Sequence, residues 1–188
     1  MVIIGSMDLK SVLLGFLRRE DCTGYELKAA MDESVGFFFG ASYGSIYPAL
    51  KDLQSGGMVL VREVVQSGKP NKKIYSITSE GEEYFREQLK RQPAADSFRS
   101  EFLMQLFFGQ HQDSDRMLEM ISEHRDTRRT KLKMLRGIED AVKDVADPYE
   151  MMCLRYGVAT FEATLAWLDE TEAQVRALAR EKETGGRA

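Results

Sequence analysis

Ala41-Ser42-Tyr43-Gly44-Ser45-Ile46-Tyr47-Pro48-Ala49-Leu50-Lys51-Asp52-Leu53-Gln54-Ser55-Gly56-Gly57 is the stretch on which the fold turns. Ile46, Leu50 and Leu53 recur at spacings of four and three, a narrow buried stripe on one face of a helix. Ser42, Tyr43, Ser45, Tyr47 and Lys51 lie elsewhere on it, a small, hydroxylated and cationic set that can approach base edges and phosphates. Ser42 or Ser45 can cap the helix start, and the free N–H groups there favour phosphate. An ordinary amphipathic core helix has the same pattern, so the flanking residues have to decide between the two. Pro48 lacks the N–H of a helix interior, so the helix either starts as late as Ser45 or bends at Pro48. Gly56-Gly57 stops it.

Beyond the glycines the period changes from helical to alternating. Val59, Val61, Glu63 and Val65 alternate with Leu60, Arg62 and Val64, and Lys73-Ile74-Tyr75-Ser76-Ile77 follows the turn residues Gln66 to Asn71, which predicts a β-hairpin. Its tip gathers Lys69, Asn71, Lys72 and Lys73, which either blunt a solvated sheet edge or meet a nucleic-acid backbone. Ser79-Glu80-Gly81-Glu82 fits a capping box opening a further helix through Tyr84, Phe85 and Leu89. Upstream, Leu9, Val12, Leu13, Phe16 and Leu17 predict a first helix after Asp8. Thr23-Gly24-Tyr25-Glu26 is a capping box for a second, which carries Leu27, Met31 and Val35 and breaks at Gly36-Phe37-Phe38-Phe39-Gly40. That three-Phe run is expected to pack beside the third helix or at a subunit contact. Three helices and a two-stranded hairpin in this order are the order of a winged helix-turn-helix, in which the third helix enters the major groove. The hydroxyl-rich helix start and the basic hairpin tip then explain each other. Tyr25 and Lys28 on the second helix complete the candidate DNA-contacting set.

The linker Gln92 to Asp96 separates residues 7–92, the expected DNA-binding domain, from residues 93–188, wholly helical. Phe98, Phe102, Leu103, Leu106 and Phe107 predict a short apolar helix closing at Gly109. A long helix from Ser114 carries Met117, Leu118, Ile121, Leu132, Leu135, Ile138, Val142 and Val145 and ends before Pro148. Its middle, Glu123 to Lys133, is almost all charged, either a solvated face or a second phosphate contact. In the last helix Met151, Leu154, Val158, Phe161, Leu165, Leu168 and Val175 form an a/d-type seam. Met152, Tyr156, Trp167 and Leu178 add apolar surface beyond it, more than one neighbouring helix covers. The seam is therefore expected to be the dimerisation surface.

The net charge of -4 argues against a uniformly basic coat. Residues 1–92 carry 12 Lys+Arg against 12 Asp+Glu and the rest 14 against 18, so the acidic excess lies wholly in the second half. No apolar run approaches the roughly 20 residues of a membrane span and no signal-peptide pattern opens the chain, so a cytoplasmic protein without membrane contact is expected. Met1 to Ser6, ending in Gly5-Ser6 before Met7, is either native or an added segment and is left out of the expected fold. Cys22 and Cys153 form no metal knuckle and are each expected to be small packed hydrophobes. His111 and His124 have no Cys, Asp or Glu at convincing metal-ligand spacing, and GxSxG, P-loop and GxGxxG patterns are absent. No catalytic residue, metal or cofactor is expected.

Gly24-Tyr25-Glu26-Leu27, Gly44-Ser45-Ile46-Tyr47-Pro48-Ala49-Leu50 with Leu53 and Gly57, Gly68 with Lys73 and Tyr75, and Ile77-Thr78-x-x-Gly81 together resemble the PadR family of transcriptional regulators, especially members with a long helical C-terminal domain like the virulence activators. The resemblance implies a mainly α protein, an N-terminal winged helix-turn-helix followed by an all-α C-terminal dimerisation domain. It places Ser45 and Tyr47 at the start of the recognition helix, Lys69 to Lys73 in the wing, and makes the final helix the dimerisation helix. It further implies a homodimer on double-stranded DNA at a pseudo-palindromic operator, acting mostly as a repressor. Some members release DNA on binding small aromatic or amphipathic ligands, and Trp167 is the candidate effector contact, the other role open to it being a packed dimer-interface side chain. Pro70 and Asn71 dilute the wing charge relative to many relatives. A winged-helix protein–protein adaptor without DNA binding is the alternative.

Overall fold

A computed structural model of the chain describes residues 7–65 and 71–185, residues 182–185 by their backbone alone. It divides into two compact units, residues 1–96 and 97–188.

The first unit opens with helix α1 (Leu9–Leu17). Asp8 caps it, accepting from the Ser11 N–H at 2.9 Å and from the Ser11 hydroxyl at 2.7 Å. Strand β1 (Cys22–Thr23) runs straight into helix α2 (Gly24–Ser34). The predicted capping box is present: Glu26 N–H donates to the Thr23 hydroxyl at 3.2 Å, and Thr23 N–H donates to the Glu26 carboxylate at 2.8 Å. Helix α3 (Tyr43–Ser55) starts two residues before Ser45, so the late start is not the alternative taken. Pro48 sits in its second turn, where the carbonyl of Gly44 goes without the bond a residue with an N–H would give.

Strands β2 (Val59–Val64) and β3 (Lys72–Ile77) form the hairpin. The sheet has three strands in the order β1-β3-β2, all antiparallel, because Cys22 and Thr23 pair with Tyr75 and Ile74. Two residues show no alternation, so this strand is silent in the sequence. Helix α4 (Ser79–Leu89) is capped by Thr78 rather than by Ser79. The Thr78 hydroxyl accepts from Gly81 N–H at 3.1 Å and donates to the Gly57 carbonyl at 2.8 Å, which knits α4 to the end of α3. Leu13, Leu14, Leu17, Leu27, Met31, Ile46, Leu50, Leu53, Val59 and Tyr75 fill the core, and Tyr84 and Phe85 of α4 lie against it. Leu89, expected beside them, is exposed. Of the Phe37 to Phe39 run, Phe39 joins the core while Phe38 is exposed.

The second unit comprises α5 (Glu101–Phe107), a 3-10 turn (Gly109–His111), α6 (Ser114–Val142) and α7 (Pro148–Gly185). Phe102 and Leu106 of α5 pack with Met117, Met120 and Ile121 of α6 and with Leu168 and Val175 of α7. Phe98, Phe107 and Val145 fall outside this packing and are exposed. The hairpin of α6 and α7 is antiparallel: Arg125 pairs with Asp169 and Glu172, Arg136 with Glu162 at 2.5 Å, and Glu139 with Arg155 at 2.9 Å.

The seam of α7 is consumed by this hairpin. Met151, Leu154, Val158, Phe161 and Leu168 are already buried within the single chain, and Leu165 and Val175 are half-buried. Within one chain the stripe expected for dimerisation is thus already covered, because α6 is long enough to lie along most of its length. The charged middle of α6 is neither a free solvated face nor a phosphate patch throughout. Arg125 turns inward to α7, and the Arg128 guanidinium lies 5.6 Å above the Phe161 ring. Cys22 is buried, its thiol donating to the Glu20 carbonyl at 3.3 Å, whereas Cys153 is exposed rather than packed.

Candidate nucleic-acid interface

The buried stripe of α3 fixes what its other face shows. With Ile46, Leu50 and Leu53 all but inaccessible, Tyr43, Tyr47 and Lys51, each four residues apart, run along the outside as one exposed stripe. Lys51 has no ion-pair partner among the described residues, so its ammonium is free for a phosphate. Lys10 and Asp52 pair at 2.8 Å and tie α3 to α1 beside it.

The start of α3 is built by Ser42 and Ser45 together. The Ser45 hydroxyl accepts from Ser42 N–H at 3.1 Å and donates to the Ser42 carbonyl at 2.8 Å. Its single proton is thereby committed to the cap, so in this arrangement Ser45 shapes the helix start rather than donating to a base edge. The exposed Ser42 hydroxyl lies 3.3 Å from that of Ser45.

Tyr43 is held from the side of α2. Its ring stacks on Tyr25, centroids 6.2 Å apart and planes 16° from parallel, and the Lys28 ammonium sits 5.6 Å from its centroid. Lys28 is also engaged by Asp32, one turn on in the same helix, and its side chain is only 14% exposed. It is thus a brace for Tyr43 at least as much as a cation offered outward. Asp32, which makes this so, has no signal in the sequence except an i, i+4 spacing. Tyr47 leans back towards α2: a Cβ added to Gly24 would stand 2.8 Å from its ring.

In the hairpin, Asn71, Lys72 and Lys73 are exposed. Lys73 faces Glu63 in the register and meets it at 3.7 Å, which offsets part of its charge, while Lys72 has no ion pair among the described residues. Its field still reaches the Glu26 carboxyl, which the Thr23 backbone and hydroxyl hold below its ordinary range with Lys72 contributing. Lys69 lies outside the described residues. Arg62 of β2 is exposed and also without an ion pair among them. Nothing in the sequence sets it apart, because an alternating strand offers polar residues at every second position.

Trp167 is 39% exposed on α7, and its ring meets Phe102 edge-on at 6.2 Å. Phe102 in turn lies flat on His124, centroids 4.0 Å apart. His124 Nε2 accepts from Arg128 Nε–H at 3.2 Å, so the ring is neutral in this arrangement. Burial, then the charges of Arg128 and Lys131, push its pKa below the ordinary 6.5. The folded state therefore holds fewer protons than the unfolded chain once the pH drops below about 6.5. Stability of the second unit should decline as the pH falls through that region and be fully present above it. A His124→Gln variant should lose this slope, which denaturant titrations of the two proteins at a series of pH values will measure.

Among the described residues, no group of three or more His, Cys, Asp or Glu could hold a metal ion, and no helix is long and apolar enough to cross a membrane. A helical core whose third helix shows a Tyr/Lys stripe, flanked by a two-stranded hairpin with lysines near its tip, is a winged helix-turn-helix of the DNA-binding kind. The chain belongs to the PadR-like family of transcriptional regulators, whose profile matches residues 13–87, and the profile described as virulence activator alpha C-term matches residues 98–176. It is similar to smu.1604c of Streptococcus mutans UA159, at 31% identity over 89% of this chain and 99% of that one, with a TM-score of 0.83. The negative transcriptional regulator PadR of Bacillus subtilis is 28% identical over 79% of this chain and 82% of its own length. The crystal structure of that PadR in complex with operator DNA covers 89% of this chain and 98% of the solved one, at 26% identity and a TM-score of 0.77.

Proposed function

We propose that this chain is a cytoplasmic repressor that binds a pseudo-palindromic operator in double-stranded DNA as a homodimer. The exposed Tyr43–Tyr47–Lys51 stripe, set back to back with the buried stripe of α3, carries the proposal. Tyr43 and Tyr47 read base edges and thymine methyls in the major groove, and Ser42, with the N–H groups of the first turn, meets the adjoining phosphate. Tyr25 supports Tyr43 by stacking, with Lys28 bracing it and reaching the backbone. Lys51 contacts phosphate from the helix, and Lys72, Lys73, Asn71 and Lys69 contact the flanking backbone from the wing. The negative regulation and operator complex of Bacillus subtilis PadR support this assignment.

The dimer forms through apolar side chains that the α6–α7 hairpin leaves outside. Met152, Tyr156, Trp167 and Leu178 of α7, with Met104 and Phe107 of α5 and Phe108 just after it, are all exposed in the single chain, more apolar surface than a monomer's solvated helices usually carry. A small aromatic effector binds in the helical unit near Trp167, where Phe102 and His124 offer stacking surfaces.

Selecting bound sequences from random duplexes tests operator recognition and half-site spacing at once. On the selected operator, Lys51→Ala or Lys72→Ala should weaken binding to every duplex alike and lower the salt slope by about one. Tyr47→Ala should instead erode the preference for the operator over random DNA. No salt-dependent binding to any duplex would point to the adaptor reading, and a lysine variant with an unchanged slope but altered sequence preference would reverse the assignment of roles.

A further inference from the structure

Tyr25, Lys28 and Asp32 follow one another on α2 at spacings of three and four, so they share one face of that helix, the face that meets the start of α3. Tyr25 stacks on Tyr43, and the Lys28 ammonium lies 5.6 Å from the Tyr43 centroid. Asp32 pairs with the same ammonium. Lys28 is therefore held from two sides, by a ring face and by a carboxylate. Only 14% of its side chain is exposed, although the rings of Tyr25 and Tyr43 beside it belong to residues that are 65% and 45% exposed. Glu26, the carboxylate nearest to Lys28 in the sequence, is committed to the capping box with Thr23.

Two lysines thus stand at the same surface in different states. Lys51 is exposed and has no ion pair among the described residues, so it meets any phosphate and strengthens binding to every duplex alike. Lys28 has its charge offset by Asp32 and rests on a tyrosine ring, so it adds little to that shared affinity. What it fixes is where the ring of Tyr43 stands. Phosphate can draw Lys28 away only in competition with the Asp32 carboxylate, and a lysine drawn away no longer holds the ring.

We infer that Asp32 is a specificity-determining positioning residue: by keeping Lys28 against Tyr43 it fixes a ring that reads base edges and withholds a cation from indiscriminate phosphate contact. The inference rests on the DNA-binding reading and concerns a residue outside the contacting set. Asp32 acts through Lys28 and Tyr43.

The unaltered chain, Asp32→Asn, Asp32→Glu, Lys28→Ala and the Lys28→Ala/Asp32→Asn double variant are titrated with the selected operator and with a random duplex over a range of salt. Asp32→Asn should bind the random duplex about two- to fivefold more tightly at low salt and steepen the salt slope by up to about one. Its operator-to-random ratio should fall about two- to fivefold as the ring loses its brace. Removing Lys28 as well should abolish the tighter random binding, whereas mere loss of a repelling carboxylate would leave it in place. Lys28→Ala should lower the ratio while reducing the slope by much less than Lys51→Ala does. Asp32→Glu keeps a carboxylate one turn from Lys28 and should match the unaltered chain. Before any DNA is added, the Tyr43 ring signals of Asp32→Asn should shift in a carbon–proton correlation spectrum with helix content unchanged. An Asp32→Asn variant with the slope and operator preference of the unaltered chain, or a gain that survives in the double variant, overturns the inference and leaves the regulator reading standing. An absence of salt-dependent binding by the unaltered chain would remove both.

Discussion

Replacing Phe161 and Leu165 together by glutamate should unfold the helical unit instead of releasing folded monomers. Phe161 is 6% exposed beneath the Arg128 guanidinium, and Leu165 is half-buried three residues before the fully buried Leu168. A carboxylate at position 161 can pair with Arg128 and recover part of its desolvation. The one at 165 has no cation assigned to it. Losing two packed apolar side chains and burying charge should cost about 4 kcal/mol or more, a large part of the roughly 5–15 kcal/mol that holds a domain. The contrasting pair, Met152→Glu with Tyr156→Glu, changes side chains that are 64% and 65% exposed. It should leave the fold of a chain within about 0.5 kcal/mol and act on association. Sedimentation together with circular dichroism separates the two. If the first pair gave folded monomers and the second a normal dimer, the seam would be an intersubunit surface after all. Operator affinity should fall with association in the second pair, since two linked heads gain about 10²- to 10⁴-fold from effective concentration.

Gly81→Val should disable the first unit while sparing the second. A Cβ at Gly81 would stand 2.2 Å from the Met58 carbonyl oxygen and 2.9 Å from Ile77 Cγ1. The carbonyl cannot step aside freely, because it accepts the Thr78 N–H at 3.1 Å, and Thr78 in turn caps α4 and holds the Gly57 carbonyl. The strain has to be released by moving α4 off the end of α3, at a cost of about 3 kcal/mol or more. For a unit of this size that is a fall in melting temperature on the order of 10 °C or more. In a thermal melt followed by hydrogen exchange, amides of α1 to α4 should lose protection at lower temperature, while those of α6 and α7 keep theirs. Uniform loss in both units would mean that they unfold as one.

The elements legible in the sequence are those whose determinants lie within four residues of each other. Thr23 and Glu26 exchange their bonds across three positions, Ser11 donates twice to Asp8 across the same span, and the Ile46–Leu50–Leu53 stripe is complete within three turns. Such contacts are fixed once the backbone is helical, so order of elements, most caps and the outward face of α3 follow from residue spacing. The family motifs, local in the same sense, carried the class of protein.

What only the tertiary structure decided is which surface each stripe met. Periodicity says that the α7 seam is buried, and it is equally satisfied by a second subunit or by α6 from the same chain. The register of Arg125, Arg136 and Glu139 against α7 chose α6. The same dependence on distant partners explains why Leu89, Phe98, Phe107 and Val145 are exposed although each reads as core. It explains as well why Cys22–Thr23 became a strand only because Tyr75 and Ile74 arrived beside it. Side-chain chemistry shows the rule at closest range. Ser45 and Lys28 both have the spacing of groups that face DNA, and each also has a partner within the fold, since a hydroxyl has one proton and an ammonium pairs with a nearby carboxylate. Those partners, Ser42 for one and Asp32 with Tyr43 for the other, are set by the folded backbone.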